Sequence, residues 1–136
     1  MLVLLDAEVD CPKELAEKLA ARLRARFAHI PSAIVIAKKC YESWLLASSE
    51  TIAGRRDMAN FIENISDPET VPNPKKWLTE RMQGTRAYKE TSDQAALTEI
   101  VDLSLLRDRS RSFRRLEHAL EQIITCLDTN TVMITP

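Results

Sequence analysis

Three carboxylates stand at alternate positions directly after an apolar run near the start of the chain. Asp6, Glu8 and Asp10 follow the run Leu2 to Leu5, so an extended backbone would place all three side chains on one face. Carboxylates this close repel one another unless a hard cation neutralises them, and Mg²⁺ prefers oxygen ligands of this kind. One interpretation is therefore a magnesium site. The other is a solvated acidic turn in which Asp10 helps to cap the next helix.

A fourth acid, Glu42, follows a second apolar run, Ala33 to Ala37. We interpret Glu42 as a catalytic carboxylate that assists the first three acids, because side chains after neighbouring parallel strands lie at one edge of a sheet. The alternative is an exposed acid in the first turn of a helix, where the helix dipole favours negative charge. Trp44 and Trp77 are interpreted as core residues rather than as stacking platforms for bases.

Arginines are concentrated in a short segment near the start of the last helical pattern. Guanidinium groups and helix N-terminal amides both bind phosphate, so the segment is a candidate nucleic-acid contact. The alternative is a solvated helix face, because acidic residues lie close by in the sequence. The arginines concerned are Arg107, Arg109, Arg111, Arg114 and Arg115.

Composition excludes several other functions. The net charge of -1 argues against a general electrostatic attraction to nucleic acid or to anionic membranes. With only two glycines the chain has no glycine-rich phosphate loop, and its three cysteines contain no C-x-x-C pair for zinc. His29 and His118 lack the spacing of metal ligands. No apolar stretch approaches the roughly 20 residues of a membrane span, so we expect a cytoplasmic protein.

The elements that must position these residues begin with a strand, a helix and a strand. Continuous apolar runs at Leu2 to Leu5 and Ala33 to Ala37 are typical of strands that are buried on both faces of a parallel sheet. Between them, leucines recur every four residues from about Pro12 to Phe27, which predicts an amphipathic helix. The fold class predicted is therefore α/β, with a βαβ core.

The rest of the chain is predicted to be mostly helical. Together with the βαβ core it is predicted to form a single domain that spans residues 1–136. The tail 128–136 shows no helical period and is expected to fray, and the alternative is that Val132, Met133 and Ile134 dock on the rest of the domain. Helical patterns are predicted from Tyr41 to near Gly54 and at Lys75–Met82, Thr91–Thr98 and Ser112–Cys126, with a loop at Asp67–Pro74.

A sheet of only two strands leaves an open edge on each of them. The two open edges leave two alternatives. A partner chain, such as a second copy, covers an edge, or Met1 is an internal residue of a longer ancestral domain.

Several segments, taken in order, carry a resemblance to a known family. Val3–Pro12, which reads Val-Leu-Leu-Asp-Ala-Glu-Val-Asp-Cys-Pro, resembles the signature of the bacterial domain-of-unknown-function 4276 family, which is related to Toprim domains. Tyr41–Ser48 and Lys75–Leu78 are similar to two further segments of that family. Single residues that match its pattern are Tyr88, Asp93, Gln94, Leu97, Asp102, Arg107, Ser110, Ser112 and Phe113.

The resemblance implies a Toprim-like fold in which acids after a central strand bind Mg²⁺ for nuclease-like phosphodiester chemistry. By position Asp6, Glu8 and Asp10 match the acidic ligands, whereas Val9 and Cys40 stand where relatives carry acids. The upstream strand with its glutamate, which Toprim-like proteins have, is not in this sequence. The resemblance also suggests a partner ATPase in defence or genome maintenance. The alternative is a non-catalytic interaction module that completes its sheet with another subunit.

Overall fold

The computed structural model describes residues 1–136, and its strands form one parallel sheet in the order β1-β2-β3. The strands are β1 (Leu2–Asp6), β2 (Ser32–Ala37) and β3 (Ile134–Thr135). The helices are α1 (Pro12–Phe27), α2 (Glu42–Ala47), α3 (Ser49–Ile52), α4 (Pro74–Thr79), α5 (Ala95–Thr98), α6 (Leu103–Arg109) and α7 (Arg111–Asp128), with a 3₁₀ helix at Pro68–Thr70 and a π-helix at Glu90–Gln94. The α/β class, with a small parallel sheet and mostly helices in the second half, is confirmed.

The chain divides into two compact units. Unit 1 comprises Met1–Cys40 and Ser112–Pro136, and unit 2 comprises Tyr41–Arg111. The prediction of a single domain stays a prediction. None of the helices combines the length and the apolar composition that crossing a membrane requires.

The sheet of unit 1 has helices on both faces. On one face, Ala16 and Ala20 of α1 are buried against Ile34 and Ile36 of β2, since small side chains one helical turn apart let the helix approach the sheet closely. On the other face, the hydroxyl of Thr135 in β3 donates a hydrogen bond to Oε1 of Gln122 in α7. The predicted helix at Pro12–Phe27 and the second strand are both present.

The first strand is less buried than its sequence predicts. The expectation of a strand buried on both faces is wrong for β1, where Leu2, Leu4 and Leu5 are 39%, 38% and 44% exposed. The reason is its position, because β1 lies at the edge of the sheet and pairs only with β2. The central strand β2 is buried along its whole length.

The end of the tail also differs from expectation. Where fraying was predicted, Ile134 and Thr135 pair with Ser32 and Ala33 of β2 as a short third strand. Ile134 packs against the same apolar cluster as α1, and the guanidinium of Arg24 donates to its carbonyl oxygen. A two-residue strand gives too short a pattern for periodicity to detect.

Unit 2 is built around an apolar core between short helices. Leu46, Ile52, Met58, Leu78 and Leu97 are fully buried in this core. The helical pattern that begins at Tyr41 is split into α2 and α3, and it ends before Gly54, which has a φ of 68°. The helix α6 was not predicted, although its N-terminus is capped by the Asp102 side chain, which accepts from the Ser104 amide at 2.8 Å.

Candidate functional site

The carboxyl ends of β1 and β2 meet at one edge of the sheet in unit 1, which is where ligands bind in open α/β sheets. Asp6 is the last residue of β1 and pairs with Ala37, the last residue of β2. Beyond them the two chains stay joined, since the Glu8 amide donates to the Lys39 carbonyl oxygen at 2.7 Å. Asp6 is exposed at this edge, and the exposed Lys38 follows the end of β2.

The backbone is strained at this junction. Glu8 has a φ of 50° and Lys39 a φ of 69°, a left-handed conformation that residues other than glycine seldom adopt. Such conformations cost of order 1–3 kcal/mol each and cluster at functional sites. Glu8 and Lys39 are joined to each other by the backbone hydrogen bond described above, at the carboxyl edge of this sheet.

The extended geometry does not continue beyond Asp6, so the premise of three carboxylates on one strand face is wrong. Glu8 and Asp10 lie in a turn that is closed by the Asp10 amide donating to the Ala7 carbonyl at 2.8 Å. The alternative role of Asp10 as a helix cap is not observed either, because Cys11 occupies the N-cap position and makes no side-chain capping bond.

Asp6, Glu8 and Asp10 do not converge as a three-ligand cluster. No group of three or more His, Cys, Asp or Glu side chains stands close enough to hold a metal ion. Mg²⁺ is usually held in proteins by only one or two carboxylates, with water and substrate phosphate as its other ligands. One or two of these carboxylates could therefore bind Mg²⁺ directly. The other ligands would have to be oxygens of water and of a substrate phosphate.

Glu42, in unit 2, is fully buried, so the interpretation of an exposed first-turn acid is wrong. Its Oε1 accepts hydrogen bonds from the Tyr88 hydroxyl at 2.9 Å and from Nε2 of Gln94 at 3.0 Å. Its Oε2 is buried without a hydrogen-bond partner, and so is Oγ of the neighbouring Ser43. Burial and the nearby Glu42 charge raise the pKa of Tyr88 well above its ordinary value, so the phenol keeps its proton as the donor.

Tyr88 and Gln94 were not predicted as site residues, although both belong to the motif pattern quoted above. A π-helix over Glu90–Gln94 places Gln94, and π-helices often occur at functional positions. Its neighbour Asp93 anchors the segment by accepting from the Lys89 amide at 2.8 Å and from Arg86 at 2.5 Å. Burial alone would raise the pKa of Asp93, but these donors hold it below its ordinary value.

A second buried polar contact in unit 2 was also missed by the sequence. The Ser110 hydroxyl donates to Oε1 of Glu69 at 2.7 Å, and both residues are buried. Glu69 lies in the 3₁₀ helix Pro68–Thr70, within the segment that was predicted as a loop. It is 41 residues away from Ser110 in the sequence, so no local pattern could predict the contact.

The five arginines have different environments. Arg109 forms a two-pronged ion pair with Glu50, with both N–O distances 2.7 Å, and it also donates to the Ala47 carbonyl. Arg115 is partly buried and donates to Thr135 and to the Pro136 carbonyl, and this burial lowers its pKa. The other three, Arg107, Arg111 and Arg114, are exposed.

Trp44 is buried and Trp77 is partly buried against the core of unit 2, as their interpretation as core residues requires.

The ion pair of Arg109 gives a test of whether its role is structural. Arg109→Ala should lower the free energy of unfolding by about 1 kcal/mol, because the pair is bidentate but Glu50 is partly exposed to solvent. The measurement is urea denaturation, with Arg56→Ala as the control, since Arg56 and Glu99 form only a long, exposed pair. Equal urea midpoints for Arg109→Ala and the wild type would show that the pair contributes nothing to stability.

The comparisons with known proteins give one match. A family model described as Domain of unknown function (DUF4276) matches residues 1–121. No curated protein and no solved structure matches the chain.

Proposed function

Because the chain belongs to the domain-of-unknown-function 4276 family, we propose that it is a Toprim-like protein with magnesium-dependent, nuclease-like phosphodiester chemistry. The observation that carries the proposal is the strained junction at the carboxyl ends of β1 and β2, which presents Asp6 at the ligand-binding edge of the sheet. The relation of the family to Toprim domains supports the same chemistry.

Asp6 is proposed as the leading magnesium ligand, with Glu8 or Asp10 as the second, and water and a substrate phosphate as the others. A bound Mg²⁺ would stabilise the negative charge that develops on a phosphodiester during its cleavage. Lys38 and Lys39 follow β2 at the same edge and would attract the phosphate by charge. Glu42 is proposed separately as an assisting carboxylate, on the evidence of its own surroundings in unit 2.

The proposed substrate is nucleic acid. Its backbone would be contacted by the exposed arginines Arg107, Arg111 and Arg114, whereas the contacts of Arg109 and Arg115 favour structural roles for them. A partner ATPase is a further proposal that has support only from the family resemblance. We also propose a cytoplasmic location, which is supported by the lack of any disulfide among the cysteines, since reducing compartments keep thiols reduced.

Cleavage of fluorescent single-stranded and double-stranded oligonucleotides with Mg²⁺ or Mn²⁺ tests the proposed function. We expect cleavage that requires the metal and stops when a chelator is added. Absence of cleavage with every substrate, or cleavage that the chelator leaves unchanged, would contradict the proposal.

A second candidate function is an interaction module that completes its sheet with a second copy of the chain. The observation that favours it is the edge strand β1, which has an unpaired side and exposed leucines on both faces. Strand pairing between two copies would satisfy the free backbone groups of β1 and cover Leu2 and Leu4.

Leu4→Lys tests this second candidate, because a lysine on an edge strand opposes pairing with another strand. If β1 pairs with a second copy, sedimentation should show a dimer in the wild type and at least about tenfold weaker dimerisation in the variant. Leu127→Lys is the matched control, since it removes an exposed leucine from α7 instead. A monomeric wild type, or equal dimerisation of Leu4→Lys, would contradict the candidate.

A further inference from the structure

One face of the edge strand β1 has no helix over it. The register pairs Leu2 with Ala33 and Leu4 with Val35, so these side chains share the face of the sheet that is opposite to α1. On that face Ala33 and Val35 of the central strand are buried, whereas Leu2 and Leu4 are exposed. Strands with helices on both sides bury both of their faces. In unit 1 this second layer covers β2 but not β1.

The helix α7 lies on this same face, on the side of β3. Gln122 of α7 lines a small cavity together with Ala33 of β2. Gln122 and Arg115 also form hydrogen bonds with the side chain of Thr135 in β3. Because β3 and β1 flank β2 from opposite sides, the surface of α7 that carries Gln122 and Arg115 points away from β1.

The opposite surface of α7 carries an apolar stripe. Leu120, Ile124 and Leu127 are 42%, 57% and 66% exposed. An α-helix turns by about 100° per residue, so these three side chains lie roughly 140–200° around the axis from Gln122. They are therefore on the side of α7 that points towards β1. We call the surface that is formed by Leu2, Leu4, Leu120, Ile124 and Leu127 the β1–α7 groove.

The width of the β1–α7 groove suits one helix. Packed helices lie roughly 8–10 Å apart, and neighbouring strands lie about 4.8 Å apart. A helix that packed beside α7 would therefore lie over β1. It would contact Leu2 and Leu4 below it and the stripe of α7 beside it. The stripe has the i, i+4, i+7 spacing with which one helix contacts another.

The charges beside the groove favour a basic partner. From Ala119 to Asp128, α7 contains two acidic residues, Glu121 and Asp128, and no lysine or arginine. Both acids are exposed on the side of α7 that points away from the sheet, next to Ile124 and Leu127. Lysine or arginine on the flank of a docked helix would pair with them, as flanking residues do in coiled coils. An acidic helix would be repelled.

We propose that the β1–α7 groove binds an amphipathic helix of a partner protein, with its apolar side on the groove and basic residues opposite Glu121 and Asp128. This docking uses one face of β1 and leaves its backbone edge free, so it is separate from strand pairing with a second copy. It involves no metal ion and is independent of the proposed cleavage chemistry.

Fluorescence anisotropy with a designed peptide tests the proposal on the full chain. The labelled probe is a helix of leucine and lysine with the 18-residue length of α7 and its leucines on one side. One control peptide has glutamate in place of each lysine, and another has the same composition in scrambled order. The leucine–lysine helix should bind the wild type at least about tenfold more tightly than either control, and its binding should weaken as salt is added.

Substitutions in each part of the groove locate the binding. Ile124→Lys and Leu4→Lys should each weaken the binding of the leucine–lysine helix at least about tenfold, because each places a charge against its apolar side. Glu121→Lys should reduce the preference for lysine over glutamate peptides without removing an apolar contact. Phe61→Lys is the matched control, since it makes the same change at an exposed apolar residue of unit 2. Cooperative thermal unfolding shows that each variant is folded.

Three results would overturn the proposal. The first is a wild type that binds none of the peptides, or that binds the lysine and glutamate helices equally. The second is an unchanged affinity in folded Ile124→Lys and Glu121→Lys proteins. The third is a wild-type dimer that Ile124→Lys dissociates in sedimentation, because the occupant of the groove would then be a second copy of the chain.

Discussion

Asp6→Asn is expected to lower the rate of magnesium-dependent cleavage by roughly 100- to 1,000-fold. The substitution keeps the shape of the side chain but removes the charge of the leading metal ligand, and a catalytic metal contributes several kcal/mol of transition-state stabilisation. Asp6 ends β1 at the carboxyl edge of the sheet, so the amide should leave the strand pairing with Ala37 intact.

The measurement is the initial rate of oligonucleotide cleavage at saturating Mg²⁺. Asp128→Asn is the matched control, because it makes the same change at the exposed end of α7 and should leave the rate unchanged. Thermal unfolding of Asp6→Asn without metal should remain cooperative, which shows that the variant is folded. A variant that folds normally and cleaves at the wild-type rate would show that Asp6 does not hold the metal.

Asp93→Asn is expected to have the largest effect on stability, a loss of about 2–3 kcal/mol. The Asp93 carboxylate is 4% exposed and accepts hydrogen bonds from Arg86, the Lys89 amide and Ser92. In Asp93→Asn the amide group of the new side chain would face these donors, where only an acceptor fits. Breaking a buried charge pair costs up to about 3–5 kcal/mol, and we expect a smaller loss of stability here because Arg86 is partly exposed.

The measurement for Asp93→Asn is urea denaturation at neutral pH. Asp57→Asn is the matched control, since Asp57 is the other, exposed carboxylate partner of Arg86 at 3.3 Å, and its loss should cost less than about 1 kcal/mol. Equal destabilisation by the two variants would mean that burial of Asp93 adds nothing to its contribution.

The stability that Asp93 contributes should depend on pH with a defined sign. Its folded pKa lies below the ordinary value near 3.9, so the unfolded chain binds the proton more readily than the folded one does. The contribution is therefore fully present above about pH 4 and is lost as the pH falls through the lower folded pKa. The stability difference between the wild type and Asp93→Asn should shrink over that acidic range, as urea denaturation at several pH values would measure.

The start of the fold could be predicted from the sequence because its signals are local. Leucines every four residues and the proline at the first position define α1, and the continuous apolar run defines β2. The same kind of run predicted a buried β1 wrongly, because periodicity describes the faces of a strand and not its place in a sheet. Whether a strand lies at an edge depends on pairing, and β3 comes from the far end of the chain.

The candidate sites could be predicted only as residue types in sequence, without their geometry. The motif singled out Asp6, Glu8 and Asp10. The turn that follows Asp6 could not be predicted, because Glu8 occupies the left-handed position and a glycine would be the usual sequence signal for that conformation. Glu42 was singled out as well, yet its partners Tyr88 and Gln94 lie 46 and 52 residues away. Contacts at that separation are determined by the packing of unit 2, which no local pattern specifies.

Calorimetric titration of the wild type with Mg²⁺ or Mn²⁺, beside the double variant Asp6→Ala, Asp10→Ala, tests the central claim most directly. The account predicts binding by the wild type and its loss in a double variant that still unfolds cooperatively. Absence of binding by the wild type, or equal binding by both proteins, would contradict a metal site at the carboxyl edge of this sheet.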